Sequence, residues 1–382
     1  MEDIFTKVKN LAAGADDTQR KELIIALRDL SISLEKPDDS LERIAYSPLP
    51  LMGAKMGKDL GVFQRLSSDS SNVGLKPLAE ETGADPLLLG RILRYLSSVK
   101  MIEEPDLDTF TANHVTFALA SPKGESYIDV YYELACPHFY EMPRFFKKRG
   151  YVTPTDPSNV PLQDAFNFKG DIFALAEAFP EKGELFDRHM KLSRDCFTNW
   201  SNITSILQER EQSHADEVVF VDVGGGVGHQ CARLKAHYPN LSGRVVLQDL
   251  ERVIHNASPI PGIEMMAYDI FTVQPIKGAK CYYSRGVLHD FPDDKCKIIL
   301  HNTVVAMGSD SIILIDEKVL PDKNINWQAT SLDLQMLSGL ASQERLRSHW
   351  ELLLGSAGLR IVDFLPHTSG GYEGIIVAAK AI

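Results

Sequence analysis

The 382-residue sequence predicts an α/β fold in its C-terminal half and a mostly helical fold before it. Three observations support this prediction. From residue 218 onwards, short apolar runs typical of buried strands alternate with helical patterns. A glycine-rich turn follows the first of these runs, and apolar residues recur at helical spacing over most of the first 213 residues. We therefore expect a mostly parallel sheet covered by helices, with an antiparallel final strand.

Composition excludes several classes of function. The net charge of −12 argues against a protein that grips nucleic acid, and no apolar run approaches the roughly 18 residues that a membrane-spanning helix needs. The N-terminus lacks the apolar core of a secretion signal. Five scattered cysteines without a C-x-x-C pair indicate free thiols in a reducing compartment. We expect a cytoplasmic protein with no membrane anchor and no metal site.

The first predicted domain, residues 1–120, has an apolar helical face that favours dimerisation. A helix predicted over residues 19–31 carries a broad apolar stripe, which must pack within the chain or against a second protomer. We favour a homodimer. A loop is predicted at residues 36–39, and a further helix over residues 51–66.

A helix-turn-helix pattern lies in the same domain. A short helix ends near Gly83, and Asp85 and Pro86 suit the N-cap and first position of the next helix. Residues 101–102 and 109–111 would add the hairpin of a winged helix. The motif is compatible with DNA binding or with a scaffold for dimer contacts, and the acidic composition favours the scaffold.

The second predicted domain, residues 121–213, is a helical connector rich in aromatic residues. Core packing explains most of these side chains, and a minority are expected to line a pocket for a small organic substrate. The candidate pocket residues in this region are His138, Met142, His189, Arg194 and Phe197. For each of the polar members, a hydrogen-bonded structural role explains the residue at least as well as a role in the site.

The third predicted domain, residues 214–382, begins with a strand, a glycine turn, a helix and a second strand. Asp222 ends the first strand, and Gly224, Gly226 and Gly228 follow at alternate positions. Glycines let a ligand approach the backbone closely, and Asp249 at the tip of the second strand suits ribose hydroxyls. A dinucleotide fingerprint places its third glycine one residue later, beside a pyrophosphate. The observed spacing favours S-adenosylmethionine, which carries no phosphate.

Polar residues follow the predicted strands at regular intervals. Further strands are predicted at residues 263–266, 279–283, 311–315, 359–364 and 374–379, with a helix over 348–357, and the last two strands should pair antiparallel. Five polar residues lie at or just after successive strand ends: Asp222, Asp249, Asp269, His289 and Glu317. The carboxyl ends of parallel strands gather along one edge, so the sequence predicts a binding site there.

These motifs resemble the plant and fungal class of S-adenosylmethionine-dependent O-methyltransferases, similar to caffeate O-methyltransferase and to fungal enzymes that methylate polyketides. The matching segments are VDVGGGVGH, LQDL, AYDIF, SRGVLHDFPDDKC, IDEKVLP and SQERLRSHW. The resemblance covers nearly the whole chain. It implies a Rossmann-like cofactor-binding domain after a winged-helix dimerisation region, and methyl transfer to a small secondary metabolite.

The resemblance also implies roles for individual residues. Besides Asp222 and the glycine turn, the cofactor would contact Asp249, Leu250, Asp269, Ile270, Phe271 and Arg285. The implied general base is His289, flanked by Glu317 and Glu344, with Asp290 beside it in the substrate pocket. The family's usual G-G-x-E-R segment is altered at residues 340–345, which keeps the acid but changes its approach. No metal is implied.

Two mechanisms are compatible with this resemblance. Methyl transfer needs in-line alignment and a base for a phenol whose pKa is about 10. Some similar fungal proteins are pericyclases, which bind the cofactor without transferring its methyl group, and His138 and Arg194 would suit such a site. Retention of His289 and Glu344 favours methyl transfer. A third hypothesis, a cofactor-binding regulator, would need a basic recognition face that this sequence lacks.

Overall fold

The computed structural model describes residues 2–69, 71–193, 203, 206–207, 216–367 and 372–381. The chain divides into two compact units, which are Met1–Gly150 with Pro161–Cys196, and Tyr151–Val160 with Phe197–Ile382. The three domain ranges expected from the sequence stay a prediction. Two candidate pocket residues, Arg194 and Phe197, lie outside the described residues.

The first unit begins with five helices: α1 (Glu2–Ala13), α2 (Asp17–Ser33), α3 (Pro37–Ala45), α4 (Leu49–Asp59) and α5 (Val62–Ser68). The loop predicted at residues 36–39 is wrong. Pro37 occupies the first position of α3, where no N–H is needed, and Asp39 accepts the Lys36 N–H at 2.9 Å. The helix predicted over residues 51–66 is interrupted because Gly61 adopts a φ of +67°.

Helices and a small antiparallel sheet lie where the winged helix is predicted, and the winged-helix motif itself stays a prediction. The elements are β1 (Val73–Gly74), α6 (Leu75–Thr82), α7 (Pro86–Ser98), β2 (Glu103–Asp106) and β3 (Thr109–Thr111). Asp85 caps α7 by accepting the Leu88 N–H at 3.0 Å. The strands form an antiparallel sheet in the order β1-β3-β2, and the first hairpin strand lies two residues later than expected because Ile102 is fully buried instead.

The rest of the first unit is helical up to residue 193. It contains α8 (His114–Ala120), α9 (Pro122–Val130), a π-helical turn (Tyr131–Ala135), α10 (Cys136–Lys148), α11 (Pro161–Phe166), α12 (Ile172–Ala178) and α13 (Pro180–Ser193). The expectation of a mostly helical segment is therefore confirmed for the described part of that segment.

The second unit is built on seven strands: β4 (Val218–Val223), β5 (Arg244–Asp249), β6 (Glu264–Ala267), β7 (Cys281–Arg285), β8 (Ile312–Lys318), β9 (Leu359–Pro366) and β10 (Glu373–Lys380). Its helices are α14 (His229–His237), α15 (Glu251–Asn256), α16 (Asp293–Ala306), α17 (Trp327–Leu340) and α18 (Arg347–Ser356), with a 3₁₀ turn at Leu288–Asp290. Every strand predicted in this half is present, with bounds shifted by at most three residues.

The seven strands form one sheet in the order β6-β5-β4-β7-β8-β10-β9. The first five are parallel, whereas β10 runs antiparallel to both β8 and β9. Consecutive β8 residues, such as Ile313 and Leu314, pack into different apolar clusters, so both sheet faces are covered. The Rossmann-like prediction with an antiparallel final strand is confirmed. Among the described residues, no helix is long and apolar enough to cross a membrane.

Candidate active site

The turn between β4 and α14 needs glycine at four of its positions. Gly224, Gly226 and Gly228 have φ values of +72°, +62° and +87°, which other residues rarely adopt. Gly225 is constrained by space, because an added Cβ would lie 2.5 Å from the Asp222 carboxyl carbon. The turn therefore presents bare backbone at the carboxyl end of the sheet, where a ligand can approach closely.

Asp249, the last residue of β5, faces this turn. Its Oδ2 atom accepts the Gly226 N–H at 2.7 Å, and its Oδ1 atom accepts the N–H of the exposed Leu250 at 2.7 Å. These bonds fix the carboxylate beside the glycine backbone. The position fits the predicted role of binding ribose, because ribose hydroxyls donate hydrogen bonds and a carboxylate accepts them.

Asp222 is buried beneath the turn instead of facing solvent. It is 1 % exposed, and the Cys231 thiol donates to its Oδ2 atom at 3.4 Å. Burial raises the pKa of Asp222 to about 7. The Asp222 carboxyl group therefore packs on the buried side of the turn, and Asp249 is the acid on its more exposed side.

The segment after β6 carries the residues expected near adenine. Asp269 accepts the Phe271 N–H at 2.9 Å, which closes a tight turn, and Asn302 donates to the Ile270 carbonyl at 3.2 Å. The Phe271 ring contacts Phe291 edge-on at 5.3 Å between centroids. An exposed carboxylate, an aliphatic side chain and an aromatic ring thus lie together after a strand end, as a base-binding site requires.

A buried amide pair that sequence reasoning missed joins this segment to the glycine turn. The side chains of Gln248 and Gln274 donate to each other reciprocally, at 2.9 Å in both directions, and both residues are 0 % exposed. The backbone oxygen of Gln248 also accepts the N–H groups of Gly224 and Gly225. The position of Gln248 beside Asp249 was the available signal, since an amide inside an apolar strand needs a partner.

Arg285, at the end of β7, is anchored by another buried acid. Its Nε atom lies 3.5 Å from Asp316, which also accepts the Tyr283 hydroxyl at 2.6 Å and pairs with His367 at 2.7 Å. Burial raises the pKa of Tyr283 well above its ordinary value. Sequence reasoning named Arg285 but not its contact with Asp316, nor the contacts of Asp316 with Tyr283 and His367.

His289 lies in the 3₁₀ turn that follows β7, and two carboxylates contact its ring. The Nδ1 atom is 3.1 Å from Glu344, and the Nε2 atom is 3.4 Å from Asp290. Burial alone would lower the pKa of His289, but the negative charges of Glu317, Asp290 and Glu344 outweigh it and raise the pKa to about 10. The predicted pair of His289 and Glu344 is therefore formed.

Glu317 approaches His289 differently from Glu344. Its Oε1 atom accepts the backbone N–H groups of Val287 at 3.0 Å and Leu288 at 2.9 Å, and lies 3.4 Å from the His289 N–H. Its carboxylate holds the turn that carries the imidazole and not the imidazole itself. Burial raises the pKa of Glu317. The acid is adjacent to His289 as expected, through the main chain.

The altered segment at residues 340–345 still places Glu344 beside the imidazole. Ala341 adopts a φ of +52°, the conformation that a glycine favours, and Asp333 accepts the Glu344 N–H at 2.8 Å. The Ser342 hydroxyl donates to the His289 carbonyl. Asp333 was missed because it stands in none of the matching segments, and Ser342 was missed although it begins SQERLRSHW, because its partner is a main-chain carbonyl.

The described pocket candidates of the first unit are packed among aromatic rings. His138 is 4 % exposed, lies 4.8 Å from the Phe139 ring, and burial lowers its pKa to about 4. The His189 ring lies 4.6 Å from Tyr127, and burial, followed by a nearby lysine, lowers its pKa. Met142 is half-buried. Both histidines are neutral at pH 7, and their role in a pocket stays a prediction.

Comparisons with known proteins agree with these features. A family model for the O-methyltransferase domain matches residues 172–360. The chain is 52 % identical to O-methyltransferase ucdC of Aspergillus ustus, with 100 % of both chains covered. It is 34 % identical to demethylsterigmatocystin 6-O-methyltransferase of Aspergillus flavus, with 100 % of this chain and 98 % of the relative covered.

Solved structures share the same fold. The structure of LepI in complex with SAM is 34 % identical with a TM-score of 0.91, and covers 99 % of this chain and 98 % of its own. A structure described as "A Pericyclic Reaction enzyme" gives the same values. OxaC in complex with sinefungin and meleagrin has a TM-score of 0.84 at 22 % identity, covering 100 % of this chain and 98 % of its own, which shows the fold alone.

Proposed function

Since this chain belongs to the O-methyltransferase family and uses S-adenosylmethionine, we propose that it methylates a phenolic or enolic hydroxyl of a small polyketide-like metabolite, with His289 as general base. The observation that carries this proposal is the 3.1 Å contact between His289 and Glu344. The Glu344 carboxylate on Nδ1 stabilises the imidazolium that forms when Nε2, which lies 3.4 Å from Asp290, takes a proton from the acceptor.

The residues at the sheet edge fit the cofactor. The bare glycine backbone suits its amino-acid end, Asp249 suits its ribose hydroxyls, and the segment from Asp269 to Phe271 suits its adenine. When bound, S-adenosylmethionine supplies an electrophilic methyl group on a sulfonium. The protein's remaining tasks are to align the acceptor oxygen with that group and to manage its proton.

The basicity of His289 matches the acceptor. The pKa of about 10 on this imidazole equals the pKa of about 10 of an ordinary phenol. One proton shared between the two groups can therefore sit on either at similar free energy, and the imidazolium form stabilises a phenolate beside it. Glu344 and Asp290 hold the ring in place while the proton moves.

A second candidate function is pericyclic catalysis without methyl transfer. The 0.91 TM-score to a pericyclic reaction enzyme at 34 % identity favours it. The paired His289 and Glu344 favour methyl transfer, because pericyclic chemistry requires no base for a hydroxyl.

We also propose a homodimer formed through the N-terminal helices. Neither α2 nor α3 buries any residue, and helices α1 to α3 expose a set of large apolar side chains that includes Phe5, Leu11, Ile24, Leu30, Leu41 and Ile44. A second copy is the partner whose matching faces would cover them. Light scattering behind size exclusion should give twice the chain mass, and a monomer at micromolar concentration would contradict this arrangement.

The four described free cysteines fit a cytoplasmic location.

The activity is tested by following S-adenosylhomocysteine. The purified protein is incubated with S-adenosylmethionine and a panel of phenols and pyridones that includes demethylsterigmatocystin, which a relative methylates according to its name. We expect acceptor-dependent product that disappears in His289→Ala and persists in the control His301→Ala, whose histidine is exposed on α16.

Two outcomes would redirect this proposal. Product that persists in His289→Ala would remove the general-base role while leaving the enzyme a methyltransferase. A substrate that is dehydrated or cyclised at an unchanged methyl count, without S-adenosylhomocysteine, would favour the pericyclase.

A further inference from the structure

The turn that carries His289 is held at both ends by buried charges of opposite sign. Its N–H groups point at one oxygen of Glu317, as described above. At the other end, Arg345 donates through Nη1 to the Leu288 carbonyl at 2.8 Å and through Nη2 to the Phe291 carbonyl at 2.8 Å. A carboxylate thus meets the amide end of the turn and a guanidinium meets its carbonyl end.

This arrangement matches the dipole of the turn. Peptide dipoles make exposed N–H groups partially positive and exposed carbonyls partially negative. Both charged residues are buried, with Glu317 5 % and Arg345 1 % exposed, so water screens their interaction with the main chain weakly. The planar guanidinium can reach two carbonyls at once, which a lysine ammonium at the same position cannot.

Arg345 is itself fixed from several sides. Its Nη2 atom lies 2.9 Å from Asp293, and its guanidinium stacks 5.2 Å from the Trp350 ring centroid. The Arg345 carbonyl accepts the Leu320 N–H at 3.0 Å, just beyond the end of β8. The side chain is therefore fixed by residues of α16 and α18, and its backbone is fixed by the segment after β8.

We propose that Glu317 and Arg345 form a charge clamp on the 3₁₀ turn, which makes Arg345 a positioning residue for His289. The inference rests on the proposed role of His289 as general base. Glu344 orients the imidazole, while the neighbouring residue Arg345 fixes the position of the backbone that carries it. Consecutive side chains of one segment thus fix the same histidine, one through the ring and the other through the main chain.

The test compares Arg345→Met with Arg347→Met, a control whose side chain is 66 % exposed two residues along the chain. With demethylsterigmatocystin, or whichever phenol of the panel is methylated, we expect the kcat of Arg345→Met to fall roughly 100-fold because the base is displaced. The KM for S-adenosylmethionine and the Kd of S-adenosylhomocysteine should stay within about twofold. Arg345→Lys, which keeps the charge but not the fork, should lie between Arg345→Met and wild type.

A nuclear magnetic resonance measurement gives a readout that does not depend on the acceptor. The Nδ1–H proton of His289, hydrogen-bonded to a carboxylate, should resonate far downfield and be identified by its loss in His289→Ala. Arg345→Met should move this resonance upfield or remove it, and Arg347→Met should not. If Arg345→Met fails to fold, Arg345→Lys carries both measurements.

Three results would overturn the clamp. They are an unchanged kcat in folded Arg345→Met, an unchanged Nδ1–H resonance, or a parallel loss of kcat and S-adenosylhomocysteine binding. A His289→Ala variant that stays active would instead defeat the general-base proposal, so the two failures are distinguishable.

Discussion

Replacing Glu344 by glutamine should change the pH dependence of methyl transfer more than its rate at neutral pH. The amide oxygen of Glu344→Gln can still accept the His289 Nδ1–H across the 3.1 Å contact, so the orientation of the ring survives while the charge is lost. Two unit charges about 4 Å apart interact by about 4 kcal/mol at an effective dielectric constant near 20. That energy corresponds to a fall of about 3 units in the His289 pKa, since 1.36 kcal/mol is about one unit.

The size of the effect depends on the pH range in which His289 is an imidazolium. The reactive state is the imidazolium beside the phenolate, which holds the same number of protons as a neutral imidazole beside the phenol. In the wild type, the pKa of about 10 keeps His289 in the imidazolium form up to that pH, so this form can stabilise a phenolate throughout the range. In Glu344→Gln the fraction of His289 that is an imidazolium should fall above about pH 7, by roughly tenfold for each further pH unit. We therefore expect the ratio of wild-type to variant kcat/KM to be small at pH 7 and to reach about 10²–10³ near pH 10.

The assay is S-adenosylhomocysteine production at saturating cofactor, measured between pH 6.5 and 10. The matched control is Glu351→Gln, whose side chain is 57 % exposed and pairs only with Arg347 at the surface among the contacts of the described chain. A loss in Glu344→Gln that is equally large at every pH would refute this reasoning. It would mean that Glu344 acts by orientation and not by its charge.

Three further outcomes are expected. Gly225→Ala should cost about 1–3 kcal/mol of unfolding free energy in urea titrations, because its Cβ would meet a carboxyl carbon at 2.5 Å. The stability difference between wild type and His289→Gln should be complete below about pH 6.5 and decline by about 1.36 kcal/mol per unit as pH rises towards 10, because folding raises this pKa. Gln248→Leu and Gln274→Leu should each cost about 1–3 kcal/mol, and the double variant less than their sum, because each single change leaves one amide unsatisfied.

Each of these outcomes has its own control or contradiction. Gly355→Ala, in α18 with nothing within 4 Å of an added Cβ, should stabilise the protein by about 0.5–1 kcal/mol, and a loss there would discredit the packing estimate for Gly225. A stability difference for His289→Gln that grows with pH would show that the folded-state pKa is not raised. Strict additivity of the two leucine substitutions would show that Gln248 and Gln274 do not interact in solution.

The features that local sequence determines were predictable. Strand periodicity and the alternate glycines predict that Asp249 and His289 follow strands whose carboxyl ends meet at one edge, and the strand pairing agrees, whereas the burial of Asp222 was not predicted. The role of Pro37 was not predictable, since proline suits both a loop and the first residue of a helix.

The contacts that escaped prediction depend on tertiary approach. Glu317 and Arg345 bind backbone groups of the His289 turn, and main-chain atoms carry no sequence signal. The reciprocal pair of Gln248 and Gln274 spans 26 residues, and either glutamine alone resembles an ordinary polar residue. Such contacts follow from the packing of the second unit and not from any spacing.

The division of the chain into two units has a consequence for the order of synthesis. The ten residues Tyr151–Val160 belong to the second unit, yet they emerge from the ribosome before Pro161–Cys196, which completes the first. Neither unit is a continuous stretch, so no single cut through the chain releases either one whole. A truncation at residue 172, where the O-methyltransferase domain match begins, would remove Tyr151–Val160 from the second unit and divide the first. The matched segment therefore coincides with neither compact unit.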